Sequence, residues 1–85
     1  MTHREIGIAK AILKVMHEAD GVQRTQATIH AEASLAFGTL IPLNEFEEVF
    51  EQLNADGCFI GVPTRYKILL WSISAKGEQV RQELK

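Results

Sequence analysis

At Cys58 the apolar residues of this chain change their spacing, and that change limits the folds open to it. Up to that point apolar side chains recur three and four positions apart, in stretches closed by glycine. That is the period of α-helices burying one stripe each. Beyond it come "CFIGV" and "YKILLWSIS", β-branched and aromatic runs separated by "PTR", which read as a hairpin. Helices first and a hairpin after them define a mainly α, α+β class. With 85 residues the chain buries only about 60 to 65% of its unfolded surface. A single domain over residues 1–85 with one modest core is therefore expected.

The first helix is signalled at both ends. Thr2 followed by Glu5 fits a capping box, and Asp20-Gly21 closes the helix. Ile6, Ala9, Leu13 and Met16 form its stripe, widened by Ile8, Ile12 and Val15. The second helix, "RTQATIHAEASLAFG", has Thr25 as its candidate N-cap and Gly38 near its end. Ile29, Ala33 and Phe37 share its buried face, with Leu35 and Ala36 beside them. Pro42 forces "TLIPL" into a turn. A third helix is predicted from Asn44, an N-cap with Glu47 three residues later, to "NADG". Phe46, Val49, Phe50 and Leu53 supply its inner face and, with Ile12 and Trp71, are expected in the core.

Along the second strand Leu69, Trp71 and Ile73 share one face, and Ile68, Leu70 and Ser72 share the other. Both faces are largely apolar, so the strand is expected to be covered on each side. Ser74 can cap a last helix, "AKGEQVRQELK", with Val80 and Leu84 inward. A homodimer formed through that helix would have only those two apolar residues to bury.

Three helices, a two-stranded hairpin and a short C-terminal helix make the order of a winged helix-turn-helix. The stretch "FEEVFEQLNADGCFIGV", followed by "LLWSISAKGEQV", resembles MarR-type and PadR-type winged-helix regulators. The matching residues are Leu53, Gly57, Ile60, Trp71, Ile73, Ser74, Lys76 and Gly77. The competing arrangement is a helical α+β domain with its hairpin packed differently. The resemblance implies two uses: DNA contact, in which the wing touches groove or backbone, or service as a protein-interaction module.

Charge divides the chain in a way that bears on both uses. Residues 25 to 64 hold six acids and no Lys or Arg, while the flanks hold all nine bases against the other five of the eleven acids. A polyanion is repelled by the middle and attracted by the ends. At the hairpin tip Arg65 and Lys67 flank Tyr66, a chemistry suited to phosphate, so a DNA contact is expected there and on the basic surface of the first helix (Arg4, Lys10, Lys14). The third helix, which would face the bases in such regulators, carries Glu45, Glu47, Glu48 and Glu51 and no cation. The helix dipole accounts for acids in its first turn, but they repel phosphate. An interaction adaptor would instead present Glu45, Glu48 and Glu51, expected on one solvent-facing strip, to a basic protein.

Enzymatic chemistry finds no support in the motifs. There is no phosphate-cradling glycine loop, nucleophile elbow or cysteine cluster. His30 and Ser34 stand one helical turn apart, but a catalytic pair needs an orienting acid and an oxyanion site. His3, His17 and His30 show no ligand spacing, so neither metal nor cofactor is expected. Cys58, the only cysteine, reads as a small buried hydrophobe. With no signal-peptide core and no apolar run near the roughly 20 residues of a membrane span, a cytoplasmic location away from membranes is expected.

Overall fold

The computed structural model describes residues 1–84, and Lys85, the end of the expected last helix, lies outside the described residues. The elements are α1 (His3–Glu18), α2 (Gln26–Phe37), α3 (Leu43–Ala55), β1 (Phe59–Pro63), β2 (Leu69–Ile73) and α4 (Ala75–Glu83). The arrangement is a winged helix: a three-helix core, a hairpin and a short closing helix.

Local signals set most of the boundaries. Thr2 and Glu5 form the reciprocal capping box of α1, Thr25 accepts from the Thr28 amide at the start of α2, and Ser74 accepts from the Gly77 amide at the start of α4. Gly38 ends α2 at φ 99, a left-handed cap that a side chain would strain. The third helix departs from expectation: its cap and first residue lie two positions earlier, and it begins at Leu43. Pro42 rather than Asn44 is the cap residue, with no side-chain capping bond. The ring already restricts the backbone of Pro42, and its carbonyl accepts from the Phe46 amide at 3.0 Å, so Asn44 falls inside the first turn.

The core gathers around α1, where Ile8, Ile12 and Leu13 are fully buried. Phe46, Val49, Phe50, Leu53 and Trp71 are buried with them as expected. Phe50 joins α3 to both strands. Its ring stacks on Phe59 at 4.6 Å and meets Trp71 edge-on at 5.1 Å, so the hairpin root is held by aromatic packing. Val80 and Leu84 lie half-buried against this same core.

The strands pair antiparallel, with Gly61 opposite Trp71 and Val62 opposite Leu70. The expectation that β2 is covered on both faces fails. Trp71 is buried, but Leu69 is 42% and Ile68 54% exposed. A two-stranded hairpin reaches the helices only at its root, so its outer half projects into solvent whatever its composition. A further strand position went unread in the sequence. Arg24 forms an isolated antiparallel bridge with Trp71, its N–H donating to the Trp71 carbonyl at 3.0 Å and its carbonyl accepting from the Trp71 N–H at 2.8 Å. One residue carries no period, so no pattern could show it.

Candidate functional site

The turn between α2 and α3 fixes how the third helix is presented, and two residues of α2 build it. His30 donates from Nε2 to the Ile41 carbonyl at 2.6 Å, and Ser34 Oγ accepts from the Ile41 amide at 3.0 Å. Both backbone groups of a fully buried residue are thereby satisfied, as burial requires. The His30 ring also lies 4.7 Å from that of Phe46. Histidine and serine here orient a helix and do not face one another as acid and nucleophile.

On α3 the carboxylates divide. Glu47, Glu48 and Glu51 are exposed and have no ion-pair partner among the described residues. Glu45 is half-buried and does not join them on a free strip. Arg4 reaches it with Nη2 at 2.9 Å and with Nε at 3.2 Å to each oxygen. The hydrogen bonds from Arg4, with its charge, hold the Glu45 carboxyl below the usual carboxylate range and raise the guanidinium in turn. The same guanidinium lies 5.6 Å from the Phe37 ring centre. Arg4 therefore braces α1, α2 and α3 together, and the basic surface expected on the first helix loses one of its members. His17 contacts Glu78 at 2.7 Å, which leaves Lys10 and Lys14 as the exposed cations of that helix.

The wing tip is a tight loop. Thr64 N–H donates to the Ile68 carbonyl at 2.9 Å, and Lys67 N–H donates to the Thr64 carbonyl at 3.0 Å. Lys67 sits at φ 63, the left-handed position that closes a three-residue hairpin loop and ordinarily favours glycine. Arg65, Tyr66 and Lys67 are all exposed, with Tyr66 at 76%. The Arg65 guanidinium stands 6.0 Å from the Tyr66 ring centre, at the limit of a cation–π contact. Neither cation has a carboxylate partner among the described residues. The structure thus brings Arg65, Tyr66 and Lys67 together on one tip, and the tip is anchored at its base through Trp71, Arg24 and Phe50.

Sequence reasoning missed two further groups. Arg24 not only bridges to β2 but also pairs through its guanidinium with Glu32 of α2. Leu35, expected beside the buried face, is 83% exposed, and Leu40 and Leu43 are 73% and 57% exposed. Six residues beyond Ile29, Leu35 lies well round the helix, which the 3.6-residue period could have revealed. Cys58 is fully buried, and burial, with Asp56 nearby, pushes its thiol pKa up, opposite to what a reactive thiolate needs. Among the described residues no three His, Cys, Asp or Glu side chains gather as metal ligands, and no helix is long and apolar enough to cross a membrane.

No protein-family model matches the chain, and no curated protein matches it. Among solved structures it is similar to a chain described as the complex structure of hsRosR-S4, with a TM-score of 0.71 at 16% identity. The likeness covers 98% of this chain and 66% of that one, so the present chain spans just under two thirds of its neighbour's length. At such identity the likeness concerns the fold.

Proposed function

We propose that this protein is a small, non-enzymatic winged-helix protein of transcription-regulator type that touches DNA through its wing. Arg65 and Lys67 supply phosphate contacts, and Tyr66 supplies a flat, polar-tipped surface beside them. Lys10 and Lys14 are the remaining cations of the helix-1 surface. One observation carries the reading: two exposed cations stand on the wing tip and three exposed carboxylates on the helix that would face the bases, none of them with an ion-pair partner among the described residues. Cations that neutralise phosphates release condensed counterions and make binding salt-dependent, whereas carboxylates at the reading face repel phosphate. The structural likeness to hsRosR-S4 supports the regulator type through the shared fold.

The test is a salt titration of binding to duplex DNA by fluorescence anisotropy. Replacing Arg65 and Lys67 together by Ala should lower the slope of log affinity against log salt by about 1.8, two phosphates' worth. An unchanged slope would remove the wing from the interface. A second reading, an adaptor presenting the acidic third helix to a basic protein, is favoured by the same free carboxylates. It uses Glu48 and Glu51, with Glu45 available only if Arg4 lets go. The two readings occupy different surfaces and are compatible.

A further inference from the structure

We infer that the outer face of the α2–turn–α3 unit is a docking groove for a basic amphipathic helix of a partner protein. The proposal names the occupant and floor of the adaptor reading and does not depend on the wing.

The second helix is unusual for one at a surface. Its only charged residue, Glu32, is engaged by Arg24, and its solvent side carries Ala27, Ala31 and Leu35. These stand four residues apart and so form one continuous, slightly slanted stripe. A surface helix ordinarily sets charge opposite its core stripe, whereas this one is apolar on both sides. Leu40 in the turn and Leu43 at the start of α3 extend the apolar surface. Leu35 and Leu40 flank a hollow walled by Ala31 and Thr39. Contiguous exposed apolar surface bordered by charge marks an interaction site.

Charge complementarity identifies what covers it. Leu43, Glu47 and Glu51 continue at the same four-residue spacing along α3, and Glu47 lines a second hollow with Ala27, His30 and Leu43. Glu47 thus edges an apolar floor, and Glu51 follows it one turn further along the same side of the helix. Residues 26 to 55 contain no Lys or Arg, and the two arginines that approach, Arg4 and Arg24, are engaged by Glu45 and Glu32. A helix with leucines on one side and lysines or arginines beside them meets both requirements: apolar anchors at helical spacing fill the groove, and cations face the acids. A second copy using the same patch would set identical carboxylates near one another across a two-fold contact. A DNA backbone there would meet the Glu47 and Glu51 carboxylates, with no unpaired Lys or Arg beside them among the described residues.

The experiment uses the full chain and a fluorescein-labelled Leu/Lys amphipathic peptide of about 14 residues, roughly four helical turns. A Leu/Glu peptide of the same pattern is the control, and binding is read by anisotropy and by amide chemical shifts. The Leu/Lys peptide should bind and the Leu/Glu peptide should not, with shifts concentrated between residues 27 and 51. Leu35→Ser with Leu40→Ser should weaken binding by at least about tenfold, since each leucine side chain buries apolar area worth that factor or more. Both positions are exposed, so the unfolding midpoint should hold. Glu47→Gln with Glu51→Gln should weaken binding and flatten its salt dependence. Arg65→Ala with Lys67→Ala should bind the peptide like the parent, which separates this result from the fate of the wing reading. The proposal fails if the Leu/Lys peptide does not bind, or binds the leucine variant as tightly as the parent. It also fails if sedimentation shows self-association that the leucine variant abolishes, which would give the face to a second copy. Duplex DNA shifting the same amides would give the face to nucleic acid and overturn the proposal as well.

Discussion

Lys67 lets the backbone of the wing tip be tested apart from its charge. At φ 63 it occupies left-handed space, which costs an L-residue roughly 1 to 2 kcal/mol. Glycine escapes that cost but adds conformational freedom to the unfolded chain, returning roughly 0.5 to 1 kcal/mol. Lys67→Gly should therefore stabilise the fold by up to about 1.5 kcal/mol, about 0.75 at the centre of both ranges, a few degrees in Tm for a domain of this size. Lys67→Ala keeps the strained backbone and, on a fully solvated tip, should leave stability within about 0.5 kcal/mol of the parent. Both variants remove one cation, so each should lower the salt slope of DNA binding by about 0.9. Thermal unfolding and a salt-titrated DNA anisotropy series on the three proteins read the two effects separately. The glycine variant should be the most stable and yet show the same shallower slope as the alanine variant. If Lys67→Gly melts at or below the parent, the strain argument is wrong; if both variants keep the parental slope, Lys67 does not contact phosphate. A side chain retained where glycine would be easier is the pattern expected where local preference yields to function.

Two further outcomes concern the frame that holds the wing. In helix-propensity terms Gly77→Ala should gain about 1 kcal/mol, but a Cβ there would clash with the Cys58 carbonyl oxygen and lie 2.6 Å from Ile73 Cγ1. The carbonyl also accepts from Ser74 N–H at 2.9 Å, so overpacking of about 1 to 3 kcal/mol plus a strained cap should outweigh the gain. Denaturant unfolding should show a net loss, and a more stable variant would mean that α4 docks differently. On acidification, the carboxyls of Glu5, Glu45 and Glu78 matter together. Glu5 is held low by the Thr2 amide and hydroxyl, and Glu45 by Arg4. For Glu78, burial pulls upward, but His17 and Arg81 together outweigh it. Groups with lowered folded pKa contribute fully above the ordinary carboxylate range and lose that contribution as pH falls through their depressed values. The urea midpoint should accordingly fall below that range, and Glu45→Gln should remove part of the fall. A midpoint flat into the acid region would deny these contacts any role in stability.

Much of the architecture was legible because it rests on neighbours in the chain. Caps at Thr2, Thr25 and Ser74 act over three residues, and the periods of α1, α3 and the strands report directly which side chains are apolar. The core that the α1 and α3 stripes imply is largely the core observed, down to Phe50, and of the strand residues expected on β2 only Trp71 is fully part of it. The composition of the wing tip and the acidity of α3 were equally plain, since charge needs no coordinates. What tertiary structure alone decided was which of those groups are free. Glu45 and Glu48 are alike in sequence, yet Arg4, 41 residues from Glu45, engages only the former, because the start of α1 packs beside the start of α3. Arg24 joins the sheet through one residue, too short for any pattern. His30 and Ser34 could be read as a polar pair, and only the buried backbone of Ile41 between them and α3 explains both. Leu35, Leu40, Ile68 and Leu69 look like core by composition. They are exposed because the helices face only one side of α2 and the hairpin reaches past the helices, and hydrophobicity by itself does not say where neighbours end.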